Sequence, residues 1–340
     1  MASNGHRNVT CHICNHTMRS DTFARHMKRK NHLQNKNAQD FHAHSLQEMN
    51  DIPSSGEDTQ CGSHENSSSQ SENEDKIGKY AWKDSGVNRN HHFLLPRNIR
   101  AIVCGKSGVG KTCLVTYLLL EPDALDYNNL IICGKSLHQP EYKIMKATFS
   151  RGWSKSQVNK LFELQDHIND VDEVIETYKG KCKGGIDAAF IDDPLDIPDP
   201  AEHDPKLNNL LVLDDVMLGP QSKAEAYYSR GRHNSVDTIY ITQSYFRLPR
   251  QTVRENANFY IFFPQDNKNL SHIYQDHCAV DGLSYSDFRN FCSDVWNSGR
   301  HNFVTIDLTR PAYCGKYRKN LDDFWIPKVD IPDLRPHSEA

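Results

Sequence analysis

No stretch of the 340-residue sequence is apolar for long enough to cross a membrane, and its first residues lack the pattern of a secretory leader. Neither a membrane-embedded nor an exported protein is expected. Close cysteine pairs are also scarce. Of ten cysteines, only Cys11 and Cys14 stand near one another, which excludes a disulfide framework and points to thiols and one metal site in an intracellular chain. Excess charge of one sign is missing too. The net charge is −4 and the pI about 6.5, so nucleic-acid binding, if present, must come from a local patch. There is no internal repeat.

The charge that is present is unevenly placed. Residues 1–35 carry six Lys/Arg (Arg7, Arg19, Arg25, Lys28, Arg29 and Lys30) against Asp21 alone, a net +5. Residues 36–76 carry nine acids against Lys36 and Lys76, a net −7, and the rest of the chain is close to neutral at −2. The pattern is a basic head, an acidic tether and a balanced body. The expected division is a small finger at 1–36, an acidic Ser/Asn-rich disordered linker at 37–90, a large domain at 91–330 and a tail at 331–340. The linker has almost nothing to bury, so no apolar contact offsets the chain entropy lost on ordering.

The body alternates strand-like apolar runs with helical patterns, which predicts an α/β fold with a mainly parallel sheet flanked by helices. Expected strands are Ile99–Cys104, Asn129–Cys133, Leu210–Leu213, Thr238–Thr242, Phe259–Phe263 and Phe303–Leu308. Expected helices include Lys111–Leu120, Gln157–Asp166, Asp170–Tyr178, Lys223–Tyr228, Leu270–His277 and Tyr285–Trp296. The Pro- and Asp-rich stretch 180–207 reads as an insertion loop.

One motif dominates the chain. Gly105-Lys106-Ser107-Gly108-Val109-Gly110-Lys111-Thr112 reads G-x-x-x-x-G-K-T between a predicted strand and a predicted helix, the context in which a P-loop forms. Gly105, Gly108 and Gly110 allow backbone N–H groups to converge on phosphate oxygens, and the helix N-terminus adds positive potential. Lys111 is expected at the β/γ-phosphates of ATP and Thr112 on Mg²⁺.

A metal–triphosphate complex also needs carboxylates at a strand end. Leu210-Leu211-Val212-Leu213-Asp214-Asp215 supplies them, with Asp214 expected to hold the Mg²⁺ shell and Asp215 to polarise the attacking water. A rival, Ala188-Ala189-Phe190-Ile191-Asp192-Asp193, has a shorter apolar run followed by Asp-Pro repeats and is read as loop. Thr238-Ile239-Tyr240-Ile241-Thr242-Gln243 is a further apolar strand with an amide at its tip, and Gln243 suits a sensor of γ-phosphate and water. In additional-strand P-loop ATPases such a strand lies between the P-loop strand and the acidic one. Ser229-Arg230-Gly231-Arg232-His233-Asn234 precedes it. Arg232 is the favoured arginine finger, supplied to a neighbouring subunit, with Arg230 second and Arg254 third. A surface charge cluster or DNA-facing loop is the competing reading, and His233 is read as structural.

The succession G-K-S-G-V-G-K-T, L-L-V-L-D-D, S-R-G-R-H-N, Y-I-T-Q-S and R-E-N-A-N-F resembles the FtsK–HerA superfamily, most of all the poxvirus-type genome-packaging ATPases of large DNA viruses and of Polinton/Maverick elements. The resemblance spans about residues 92–325. It implies a RecA-like core, a homo-oligomeric ring and ATP-driven movement of double-stranded DNA into a capsid. It places phosphate contacts at Gly110, Lys111 and Thr112, metal at Asp214, water activation at Asp215 and sensing at Gln243. Many members carry Glu where Asp215 stands, and the shorter side chain leaves the role of that position open.

The head carries Cys11-x₂-Cys14-x₁₁-His26-x₅-His32, which has zinc-finger spacing with one residue fewer than usual between the pairs. Thiolates and imidazoles together suit tetrahedral Zn²⁺, and a module this small folds only with its metal. Five intervening residues set His26 and His32 about 120° off a common helical face, so a helix there must distort. His12 and His16 are competing ligands. The head's basic residues would face phosphates.

The leading expectation is an ATP-driven double-stranded DNA translocase for packaging a viral or virus-like genome, with ATP, Mg²⁺ and Zn²⁺ as cofactors and a capsid protein as a further partner. Host nucleus, cytoplasm and virion are all compatible locations. The alternative is a zinc-finger nucleic-acid-binding regulator with a nucleotide switch and no motor activity. A small-molecule kinase shares the P-loop but leaves Gln243, the arginines and the finger unexplained.

Overall fold

The central strands of the body are buried along almost their whole length, and because successive side chains point to opposite faces they load both faces of a single sheet. The computed structural model describes residues 8–10, 17–19, 89–164 and 186–327. The chain divides into two units, Met1–Lys83 and Asp84–Ala340. In the first unit, β1 (Asn8–Thr10) pairs antiparallel with β2 (Thr17–Arg19), Val9 opposite Met18. The connection between them contains Cys11 and Cys14. These cysteines, His26, His32 and the acidic linker before residue 89 lie outside the described residues.

In the second unit the described strands are β3 (Arg100–Cys104), β4 (Asn129–Gly134), β5 (Asp187–Ile191), β6 (Asn209–Asp214), β7 (Val236–Thr242), β8 (Phe259–Phe262), β9 (Val304–Asp307), β10 (Tyr317–Lys319) and β11 (Asp323–Trp325). They form one nine-stranded sheet in the order β11-β10-β9-β8-β3-β7-β6-β4-β5. The run from β8 to β5 is parallel, and β9, β10 and β11 add an antiparallel edge. The expected parallel α/β body is therefore present, with β7 between β3 and β6.

Helices cover both faces. Ala101 and Val103 of β3, Val212 of β6 and Ile239 and Ile241 of β7 pack with α1 (Lys111–Leu120), α2 (Pro140–Phe149) and α3 (Lys155–Leu164). Ile102, Leu211, Leu213 and Tyr240 face the other way, against α4 (Ser222–Arg230), α5 (Asn267–His277) and α6 (Tyr285–Asn297). The period-2 pattern of the strands thus becomes two cores separated by one sheet. Asp266 caps α5 by accepting from the Asn269 N–H at 2.8 Å, and Ser284 caps α6 by accepting from the Asp287 N–H at 3.1 Å.

Several elements differ from the expectation. The segment Asp187–Ile191, read as loop, is strand β5, paired with β4 at the sheet edge. Its alternating, half-exposed residues are those of an edge strand rather than a buried run. The Asp-Pro repeats after it are capped turns: Asp193 accepts from the Leu195 N–H and Asp199 from the Ala201 N–H. Helix α3 begins two residues before the expected Gln157, and Asp170–Tyr178 lies outside the described residues. Helix α2 and strands β10 and β11 were not anticipated. The last two are three residues each and carry Arg318, a fully buried arginine. Its guanidinium bonds Asp307 and the carbonyls of Gly315 and Leu94, tying the antiparallel edge to the segment that enters the domain. The charge is tolerated there because it is paired with Asp307 and each guanidinium nitrogen has a hydrogen-bond partner.

Entry to the domain is fixed by Asp237, buried at the start of β7. It accepts from Arg89 at 2.9 Å and from the Ile99 N–H at 2.7 Å, and from His91 Nε2 at 3.0 Å. His91 Nδ1 accepts from the Asp126 N–H, so its proton sits on Nε2.

A second polar cluster lies under α5. Tyr245 donates to Asp276 at 2.8 Å and lies 2.6 Å from His277 Nε2, while Arg254 pairs with Asp276 at 2.9 Å. Burial pushes the His277 imidazole down to about 4. The unfolded chain therefore binds a proton near pH 6.5 that the folded one refuses until about pH 4, so His277 makes stability fall as pH drops through that window. The shift corresponds to roughly 3 kcal/mol. Urea unfolding at pH 7 and pH 4.5 should show a smaller pH-dependent loss for His277→Gln than for the parent. Equal losses would remove His277 as the cause.

Candidate nucleotide site

The P-loop runs from the end of β3 to the start of α1. Gly110 sits at φ 103° and Gly108 at φ 75°, a backbone that side-chain-bearing residues rarely adopt. No side chain caps α1 and no acid lies in its first turn, so its N–H groups and positive end are left for an anion. Lys111 is half-buried, and its ammonium donates to the carbonyls of Gly105 and Lys106, both at 2.7 Å. Burial lowers its pKa, and the nearby carboxylates of Asp214 and Asp215 oppose that shift.

Asp214 ends β6, two strands from the P-loop strand, and is 5% exposed. Tyr142 of α2 donates its hydroxyl to the Asp214 carboxylate at 2.5 Å. The Thr112 side chain also favours the charged form of this carboxylate, which places the P-loop hydroxyl beside the strand-end acid. Burial raises the Asp214 pKa, and the Tyr142 hydrogen bond pulls it back. A buried carboxylate beside a hydroxyl is an oxygen donor set suited to Mg²⁺, which takes its remaining ligands from phosphate and water. Among the described residues no three His, Cys, Asp or Glu side chains gather in one place. The Zn²⁺ ligand set Cys11, Cys14, His26 and His32 falls outside them.

Asp215 follows in left-handed backbone at φ 53° and is exposed. Gln243, at the tip of β7, donates to its carboxylate at 3.2 Å. The Asp215 N–H is held by the Ile241 carbonyl, so the carboxylate is fixed against the tip of the neighbouring strand. The strand order makes this possible. With β7 between β3 and β6, Gln243 stands between the P-loop and the two acids. Lys111, Thr112, Asp214, Asp215 and Gln243 thus share one end of the sheet. The rival pair Asp192 and Asp193 sits at the end of edge strand β5, beyond β4.

The arginines do not join this group. Arg232 is exposed in the short turn Gly231–Asn234 before β7, at the opposite end of the sheet from Gln243. The seven residues of β7, at about 3.3 Å each, separate the two ends by roughly 20 Å. Arg232 therefore does not reach the P-loop of its own chain. Arg230 pairs with Asp199 at 3.2 Å on the surface. Arg254 is buried against Asp276 and is not free to act as a finger.

Sequence reasoning missed Tyr142 and His301. Tyr142 was findable: Pro140 at a helix start, followed by Tyr142, Met145 and Phe149, spells a buried helical face. His301 approaches the P-loop from 192 residues away, with Nδ1 2.8 Å from the Val109 carbonyl, and nothing local announces it.

No protein-family model matches the chain, and no curated protein matches it. Similar solved structures include the genome packaging NTPase B204 from Sulfolobus turreted icosahedral virus 2 in complex with sulfate, at 14% identity and TM-score 0.40, covering 66% of this chain and 96% of that one. VirB4 of Thermoanaerobacter pseudethanolicus is similar at 14% identity and TM-score 0.37, covering 63% and 87%. A DnaB-like replicative helicase is similar at 13% identity and TM-score 0.31, covering 73% and 71%. Likenesses this distant decide nothing about activity, and the chemistry rests on the residues above.

Tyr142→Phe strips a donor from a buried carboxylate and should lower stability by about 1–3 kcal/mol. In a double-mutant cycle with Asp214→Asn, the two changes should couple by at least ~1 kcal/mol in urea unfolding. Additive effects would show that the contact carries no energy.

Proposed function

We propose that this chain is an ATPase that moves along double-stranded DNA as a homo-oligomeric ring and packages a viral or virus-like genome. The observation that carries the ATPase reading is the gathering of the P-loop, the buried Asp214 and an acid held by Gln243 at one end of the sheet. The DNA and packaging parts rest on the sequence resemblance, chiefly the S-R-G-R-H-N and T-Q-S runs.

The residues divide the work as follows. The backbone N–H groups of the P-loop and the start of α1 take the phosphate chain. Lys111 exchanges the Gly105 and Lys106 carbonyls for phosphate oxygens. Thr112 and Asp214 would hold the cation, and Tyr142 fixes the Asp214 carboxylate. Mg²⁺, when bound there, would supply positive charge against the negative phosphate chain. Asp215 accepts the proton of the attacking water while the water oxygen bonds to the γ-phosphorus and the bond to the β–γ bridging oxygen breaks. Gln243 keeps Asp215 aimed. Arg232 reaches the γ-phosphoryl group of a neighbouring subunit.

The head is proposed to bind Zn²⁺ through Cys11, Cys14, His26 and His32, supported by ligand type and spacing, and to contact nucleic acid through its basic residues. A capsid protein is the proposed assembly partner, in the host nucleus, the cytoplasm or the virion.

Lys111→Ala should abolish ATP hydrolysis, and duplex DNA should stimulate the parent. Wild-type turnover in the variant would remove the site assignment. The sized oligomer should also displace a triplex-forming strand; tight ATP binding without displacement would favour a nucleotide-switched regulator. Arg232→Ala alone should be inactive but regain partial activity when mixed with Lys111→Ala subunits. Failure of the mixture would place the finger elsewhere.

A further inference from the structure

The turn between α6 and β9 touches the P-loop from the side of β3 opposite to β7 and β6. His301 in this turn has φ 66°, a left-handed backbone that a histidine adopts only when its surroundings enforce it. The enforcement is visible. Asn302 Nδ2 donates to Ser298 Oγ at 2.8 Å, and Ser298 Oγ donates to the Val295 carbonyl at 2.8 Å. Asn320 accepts from the Phe303 N–H at 3.1 Å and donates to Asn302 Oδ1 at 3.3 Å. The result is an exposed imidazole that belongs to neither core and lies against the P-loop.

Its one polar contact there is specific. His301 Nδ1 is 2.8 Å from the Val109 carbonyl oxygen. A carbonyl only accepts, so Nδ1 carries the proton and donates. The ring also lies over Gly110, where a Cβ would stand 3.3 Å from Nδ1. The Val109 carbonyl and the Gly110 N–H belong to one planar trans peptide, so they point in opposite directions. Holding the carbonyl toward His301 therefore turns the Gly110 N–H away from the imidazole.

We infer that His301 is a positioning residue for the phosphate cradle: by fastening the Val109 carbonyl, it aims the Gly110 N–H at a phosphate oxygen of the bound nucleotide. The inference rests on the nucleotide-site reading above and adds to it a residue outside the P-loop motif. It also gives the strained turn a purpose. Without the bond, the Val109–Gly110 peptide, with a glycine on one side, is free to rotate. The cradle would then have to order it at the moment of binding.

The test uses the full chain and two metal-free probes, tripolyphosphate and ATP, titrated calorimetrically. His301→Leu keeps bulk and loses the donor, and should weaken both probes about three- to tenfold, the worth of one positioned hydrogen bond. His301→Gly loses the donor while relieving the left-handed strain, so it keeps the fold if the leucine variant does not, and should weaken both probes similarly. His301→Asn places an amide donor near the position of Nδ1 and tolerates the same backbone, and should bind within about twofold of the parent. Unchanged tripolyphosphate affinity in the leucine and glycine variants would overturn the proposal. So would loss of ATP affinity alone, which would mean that the ring touches the nucleoside. If the parent itself binds neither probe, the nucleotide-site reading fails first, a result distinguishable from parent binding that the variants leave intact.

Discussion

One buried carboxylate organises the site. Asp214 lies between the hydroxyls of Tyr142 and Thr112, and these three residues come from a strand end, a covering helix and the P-loop. Removed from water and not fully neutralised, the carboxylate is costly to keep charged, which is why burial raises its pKa. A divalent cation shared with Thr112, as proposed above, would offset that cost.

The carboxylate reaches Thr112 only because of the order of strands. With β7 between β3 and β6, the P-loop, the sensor amide and the acids lie side by side at the carboxyl ends of parallel strands. Two non-glycine residues in left-handed backbone flank the loop, Asp215 on the acid side and His301 on the other. Each is held by neighbours rather than by its own preference. Asp215 is fixed by Ile241 and Gln243, and the His301 turn by Asn302 and Asn320. Strain concentrated around one short loop is consistent with a rigid cradle whose donors are aimed before the ligand arrives.

The other end of the sheet has different work. Asp237 gathers Arg89, His91 and the Ile99 N–H where the chain enters the domain, and Arg232 is exposed near the same end. Burial and the neighbouring Arg232 charge lower the pKa of Arg100 at the first residue of β3. Positive charge at the strand starts and phosphate-binding groups at the strand ends give the domain two chemically distinct edges. The proposed ring would bring such edges of successive subunits together, because neither edge of one chain can reach its own opposite.

Much of the site was legible in the sequence. Glycines at fixed spacing before Lys111 and Thr112 admit few other uses, and a buried strand ending in Asp214 and Asp215 has a chemical reason to be acidic. The parallel sheet followed from alternating apolar runs and helical patterns. Strand β5 was misread because an edge strand need not be strongly apolar, and β10 was hidden because Arg318 looks like a surface residue until Asp307 is placed beside it. Composition and local pattern determined which residues are suited to phosphate chemistry, since that depends on backbone freedom and side-chain type. Tertiary structure alone decided which groups hold those residues in place. Tyr142 and His301 act across 72 and 192 residues of sequence, and hydrogen bonds over such separations exist only once packing has closed the intervening chain.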